Sequence, residues 1–403
     1  LQVLEELRIP VDYVAGTSMG AIVGGLYAAG VSPAEMQELL GTTDWRDLLE
    51  DRPPRRRLPY RRKVDDQAYL TRFEAGFNDF RFQLPTGLVQ GQKLTLALQE
   101  MLLRVSGTED FDQLPLPFRA VATDLETGEA VVLGRGDLAL SIRASAAVPA
   151  IFSPIEIADR VLVDGGVVLN LPVDVAREMG AEVILAVDVG EPLQDRKNLE
   201  SLTSVLQQMT SLQSRQTSDD QASRANVVMR PDLEGFHSTD FDRGMEMVPR
   251  GVEAARRATP ELLAYSLSEA DFAEHLARRR RPPPQAERIA DVQLSLDAGV
   301  DPELARRRVR LRPGDVFDME ALKSDLERLF ETGDYERIDA LLTQEEDGVA
   351  VNIQGHEKPW GPNVIRIGTS LMANFDGDSS FGLLASYTMT RLNRHRGELK
   401  VTA

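Results

Sequence analysis

With 403 residues, 42% of them hydrophobic, the chain is long enough for two or three domains with sizeable cores. Its net charge of −18 argues against nucleic acid as a main partner. It has no cysteine, which excludes disulfides and thiolate metal sites, and no apolar run reaches the about 18 residues of a membrane-spanning helix.

The first informative stretch is residues 11–30. Residues 11–15 are apolar and rich in β-formers, residues 19–29 are small and apolar, and Gly30 sits where a helix stop is expected. Between them lies Gly16-x-Ser18-x-Gly20. A serine on a sharp strand-to-helix turn has its hydroxyl pushed out above the sheet, and glycines flank it where a Cβ would collide with the strand and helix. The helix that follows points its N-terminus at any oxyanion formed there, which makes the Met19 backbone N–H a natural donor. The plainer alternative is a glycine-rich turn packed on a sheet.

Ser32-Pro33 opens a second helix, expected over 33–40. Residues 52–63 are strongly basic and broken by prolines. Arg55, Arg56, Arg57, Arg61, Arg62 and Lys63 either form a lip that meets anionic lipid headgroups or belong to a solvated loop paired with the acidic surface. A core helix is expected over 92–105, a strand over 118–124 whose Asp124 shapes a turn, and a helix over 137–145 that ends before Pro149. Residues 160–163 read as a short buried strand running into Asp164-Gly165-Gly166. Residues 183–189 form a continuous apolar run, as for a strand buried on both faces of a parallel sheet, and 226–231 hold the last short strand. Helices are expected over 202–216 and 251–276. Alternating strands and helices predict an α/β sheet covered on both sides.

A serine hydroxyl needs a base. The only histidines are His237, His275, His356 and His395, and none lies in an obvious strand-end loop with a carboxylate partner. The best carboxylate candidate is Asp164, which could act directly on serine if partly desolvated; on that stretch alone it could equally shape a turn.

Gly16-Thr17-Ser18-Met19-Gly20 together with Asp164-Gly165-Gly166 resembles the patatin-like phospholipase family, and the segments 87–92, 122–128 and 142–149 resemble stretches of its bacterial members. The resemblance runs from Leu1 to about residue 260. It implies a three-layer α/β sandwich with a mainly parallel sheet, Ser18 as nucleophile and Asp164 as base, with no histidine, metal or cofactor required. It also implies a glycine-rich oxyanion loop before the elbow. The chain starts at Leu1, within what would be the following helix, so the first strand and that loop are expected to be missing from it.

Residues 278–284 form an arginine- and proline-rich linker. Beyond it, a strand over 289–296, two helices and strands over 335–343 and 349–354 resemble a POTRA domain, a periplasmic companion of outer-membrane barrels. Residues 364–373 and 380–389 have the length of tilted barrel strands, and a third strand is expected near Gly397. The expected domains are 1–277 (patatin-like), 278–286 (linker), 287–356 (POTRA-like) and 357–403 (an incomplete barrel start). The full pattern resembles patatin-type autotransporters. It implies a phospholipase A-type hydrolase acting on phospholipid membranes, exported by its own POTRA–barrel unit to the outer membrane, with the lipase domain secreted or at the cell surface. Two further readings stand beside it. One is an outer-membrane assembly or transport protein whose patatin-like part only binds lipid; the other is a soluble esterase. Oligomeric state is not legible.

Overall fold

The computed structural model describes residues 1–50, 63, 73–78, 81–84, 86–87, 89–190, 202–236, 240–281, 288–297, 302–345, 347–358, 360–373, 379–392 and 397–403. The chain divides into two compact units, Leu1–Glu50 with Lys93–Gln285, and Asp51–Gln92 with Ala286–Ala403. Among the described residues the strands, in chain order, are β1 (Val14–Thr17), β2 (Phe73–Asn78), β3 (Arg81–Gln83), β4 (Phe118–Asp124), β5 (Ala130–Leu133), β6 (Ile155–Ile157), β7 (Arg160–Asp164), β8 (Leu185–Val187), β9 (Val227–Met229), β10 (Ile289–Leu296), β11 (Tyr335–Glu345), β12 (Gly348–Glu357), β13 (Val364–Ala373), β14 (Ser379–Met389) and β15 (Leu399–Thr402).

In the first unit β4 is the organising strand. β1 pairs with it in parallel over Phe118–Val121, and β7 pairs antiparallel over Ala122–Asp124. β5 pairs with Ala120–Thr123, overlapping both registers, so it takes the opposite edge of β4. β1 and β7 therefore lie end to end along one edge and run toward each other. Their last residues, Thr17 and Asp164, face adjacent β4 positions, Val121 and Ala122.

The expected mainly parallel sheet is thus mixed: β1–β4 is its parallel pairing, and the others are antiparallel. Short connections dictate two of these, β4–β5 across residues 125–129 and β6–β7. β6 and β7 are joined by only Ala158 and Asp159, both with positive φ (50° and 61°), the geometry of a two-residue hairpin turn. Phe118, Ala120, Val121, Ala122 and Leu162 are fully buried. The helices Met19–Ala28 and Leu138–Ser145 pack on this sheet and against each other, so closely that a Cβ on Gly25 would lie 2.4 Å from Ile142 Cδ1 and 3.4 Å from the Phe118 ring.

The apolar run 183–189 departs from expectation. Only Leu185–Val187 is strand, paired among the described residues in parallel with β9 alone, and Val183, Val187 and Val189 are exposed. A strand with one hydrogen-bonded neighbour leaves one side unpacked. A separate core joins Val3, Leu4 and Ile9 to Val227, Met229 and Leu262. The helix expected over 251–276 is broken into Gly244–Arg257, Thr259–Leu262 and Glu269–Arg279, because Ser268 accepts Asp271 N–H and starts the last piece afresh.

In the second unit β10-β12-β11 form a sheet, β10 parallel and β11 antiparallel to β12. The helix Met319–Phe330, capped by Asp318, buries Leu322, Leu326 and Leu329, and the sheet buries Ile338, Val351 and Ile353. This is the strand–helix–helix–strand–strand order read from the sequence. A second five-stranded sheet runs β15-β14-β13-β2-β3. Its three C-terminal strands match the expected hairpin and third strand. β2 and β3, expected within the first domain, pair here instead, with Glu74 bound to Arg366 across the β2–β13 register (3.0 Å).

Candidate active site

The turn from β1 into the helix Met19–Ala28 puts Ser18 at φ 54° and ψ −121°, in the left-handed region. A non-glycine residue there stores about 1–3 kcal/mol of strain and persists only where its surroundings over-determine it. Gly16 lets the turn close: its Cβ would lie 2.3 Å from the Gly20 carbonyl oxygen. Gly20 is different, since a Cβ there meets nothing within 4 Å. The expectation that both flanking glycines avoid collisions holds for Gly16 only, because Gly20 lines the open cavity in front of Ser18.

Because β1 and β7 abut on β4, Ser18 and Asp164 meet although 146 positions apart. Ser18 Oγ donates to Asp164 Oδ2 at 2.5 Å, and Gly166 N–H donates to Asp164 Oδ1 at 2.7 Å. Gly165 is sterically demanded, as its Cβ would lie 2.2 Å from the Val121 carbonyl oxygen. Gly166 has only 3.0 Å between an added Cβ and Asp164 Oδ1. Asp164 is 6% exposed. Burial pushes its carboxyl up to about 6, against the opposing pull of the hydrogen bonds from Ser18 and Gly166 and the charge of Arg143. The carboxylate is thus a stronger base than a solvated aspartate and is still ionised near neutral pH.

Met19 opens the helix, where the first N–H groups have no partner inside the helix. A cavity of about 2470 Å³ passes Ser18 and Asp164, with Val23, Leu98, Met101, Ile151 and Met209 among its apolar lining. Ligand pockets for small molecules run to about 300–1,000 Å³, so there is room for a much larger apolar substrate.

The other candidates are placed as follows. Asp124 accepts from Glu126 N–H and Thr127 N–H and so shapes the β4–β5 turn. His275 is buried and stacked on Phe272. His356 lies 3.7 Å from Asp339 in the second unit. His237, His395, Arg55, Arg56, Arg57, Arg61 and Arg62 lie outside the described residues; of the basic stretch only Lys63 lies within them. Three further side chains, to which the sequence assigns no role, hold the pair. Thr123 Oγ1 donates to the Asp164 carbonyl (3.0 Å), Thr17 Oγ1 donates to the Leu169 carbonyl (2.9 Å), and Ser145 takes the Ser18 N–H (3.0 Å). Thr17 lies within the Gly16–Gly20 motif, and Thr123 and Ser145 lie within the segments 122–128 and 142–149 that carry the resemblance.

Comparison with known proteins gives a consistent picture. Residues 1–177 match the family model of patatin-like phospholipases, and residues 287–358 match the POTRA model, described as a surface antigen variable number repeat. An uncharacterized NTE family protein of Mycobacterium tuberculosis is 31% identical over 193 residues, which is 47% of this chain and 44% of that protein. The human patatin-like phospholipase domain-containing protein 6 is 30% identical over 201 residues, 49% of this chain and 12% of that one. The chain thus spans less than half the length of these relatives. Among solved structures, POTRA domains 1-2 of the periplasmic part of Omp85 from Anabaena are 24% identical over 19% of this chain and 48% of that one, with a TM-score of 0.17, too low to carry an argument. The chain joins a patatin-like phospholipase domain, within residues 1–177, to a POTRA domain over residues 287–358.

Proposed function

We propose that the protein is a serine acyl hydrolase of the phospholipase A type, with Ser18 as nucleophile and Asp164 as base. The observation that carries this reading is the 2.5 Å hydrogen bond from Ser18 Oγ to a buried carboxylate raised to about 6. Asp164 takes the hydroxyl proton as Oγ attacks the ester carbonyl. The oxyanion forms in front of the Met19 N–H and the helix N-terminus, which stabilise it electrostatically. Collapse of the tetrahedral intermediate returns the proton from Asp164 to the departing alcohol and leaves the acyl group on Ser18. Water then attacks the acyl ester while Asp164 takes its proton, and the fatty acid leaves with Ser18 restored. The apolar cavity supports a lipid acyl chain as the group that is held.

In the same reading residues 1–277 form the hydrolase domain, 278–286 the linker, 287–356 the POTRA domain and 357–403 the start of an outer-membrane barrel. That unit carries the hydrolase out through the bacterial outer membrane, to the surface or beyond. Supporting it is the second five-stranded sheet, on which Ile367, Leu383 and Val401 lie exposed.

The test is ester hydrolysis by wild type, Ser18→Ala and Asp164→Asn, on phospholipid vesicles and on a short soluble ester. Vesicle hydrolysis abolished by both substitutions supports the reading. Vesicle binding without hydrolysis in any variant replaces it with a lipid-binding assembly protein, and hydrolysis confined to the soluble ester replaces it with an esterase.

A further inference from the structure

Three residues of chain, Ser145 to Ala147, hold both members of the pair. Ser145, the last residue of the helix Leu138–Ser145, accepts the Ser18 N–H at 3.0 Å and donates its own proton to the Val121 carbonyl at 2.5 Å. Two residues on, the Ala147 carbonyl accepts the Asp164 N–H at 2.9 Å. Ser145, Val121 and Ala147 are fully buried. The Val121 carbonyl is also the group against which Gly165 packs, so one backbone oxygen fixes Ser145 from one side and the chain beside Asp164 from the other.

Ser18 sits in a conformation that serine does not favour, and its amide cannot enter the helix ladder, because it belongs to the residue before the helix begins. Without the Ser145 hydroxyl, both the Ser18 N–H and the Val121 carbonyl lose their partner, and the turn loses the bond that opposes its relaxation. We propose that Ser145 is a positioning residue for the nucleophile: its hydroxyl relays the Ser18 amide to β4 and holds Ser18 Oγ in line with Asp164. This rests on the hydrolase reading above. It touches no reacting atom, so its effect falls on the alignment of the attack rather than on the binding of substrate.

The experiment compares the full chain with Ser145→Ala, Ser145→Thr and Ser145→Val. It measures kcat and KM on a short soluble ester, the rate of Ser18 modification by a fluorophosphonate, and the melting temperature. Threonine and valine have nearly the same shape, so their difference isolates the hydroxyl from the space it fills. Misplacement of a reacting group by about 1 Å costs about 100-fold. The expected result is a kcat lowered about 10- to 100-fold in Ser145→Ala, with KM within about twofold and fluorophosphonate labelling slowed in step. Ser145→Thr retains most of the rate that Ser145→Val loses.

Labelling of Ser145→Ala at the wild-type rate overturns the proposal. So does equal labelling of the threonine and valine variants when each is normalised to folded protein, since the hydroxyl then acts only on stability. A wild type inert to both ester and fluorophosphonate overturns the hydrolase reading, and this one with it; a reactive wild type with an equally reactive Ser145→Ala overturns this one alone.

Discussion

The two five-stranded sheets of this chain bury opposite kinds of surface. In the first unit the sheet around β4 packs apolar side chains inward, and Phe118, Val121 and Leu162 have no exposure. In the second unit the β15-β14-β13-β2-β3 sheet does the reverse. Ile365, Ile367, Ala385, Tyr387, Leu383 and Val401 share one face by register, with Ile367 42%, Leu383 74% and Val401 58% exposed. The opposite face carries Glu74, Arg366, Ser386 and Thr388, the last two 3% and 6% exposed, and Gly76 leaves room for the Trp360 carbonyl against it. What differs is which faces find a protein partner: β4 is buried at consecutive positions and so covered on both faces, whereas one face of the second sheet leaves Ile367, Leu383 and Val401 exposed.

The sharpest way to break that comparison is at the candidate active site of the first sheet. Ser18→Ala and Asp164→Asn should each lower kcat/KM by about 10⁴-fold, measured on vesicles, since a nucleophile and its base act as a unit. The second way is charge on the outer face of the other sheet. Leu383→Arg should cost about 2–4 kcal/mol when the protein is folded into lipid and within about 0.5 kcal/mol in water, read from denaturant midpoints in the two media. Equal costs in both media would remove the distinction between the sheets.

The pH dependence sharpens the picture of the first sheet. Asp164 has a folded-state value of about 6 against 3.8 for the free group, so between those values the folded chain holds a proton that the unfolded chain has released. Stability therefore falls as pH rises from about 4 to about 6, by about 3 kcal/mol in all. Asp164→Asn escapes the loss and should have the higher urea midpoint at pH 7. Hydrolysis runs the other way, since it needs the ionised base: kcat/KM should rise with pH through about 6.

The smallest effects separate the glycines. Gly165→Ala forces a Cβ onto the Val121 carbonyl and should cost about 1–3 kcal/mol by thermal melting. Gly20→Ala meets open space at the start of a helix and should leave stability unchanged or raise it by up to about 1 kcal/mol.

Much was legible in the chain alone because it rests on local chemistry. A serine between glycines, preceded by β-formers and followed by small apolar residues, dictates the elbow. Ser32 and Asp318 announce their helices as caps, and Ser32 completes a capping box with Glu35. Asp164-Gly165-Gly166 marked a strand end that approaches another backbone. The 183–189 run misled because an apolar stretch states only that burial is possible, while the number of neighbours is decided elsewhere. The placement of β2 and β3 beside β13 was hidden for the same reason: pairing is non-local, and a strand carries no record of its partner.

The chain by itself therefore determined the chemistry available, a serine poised on a turn and a carboxylate at a strand end. Only the tertiary structure decided that they meet. β1 and β7 run head-on along one edge of β4, so their ends converge at Val121 and Ala122, and the Ser145 hydroxyl and Ala147 carbonyl then tie both residues to one short stretch. Register and edge sharing are properties of three strands together, which no single segment encodes.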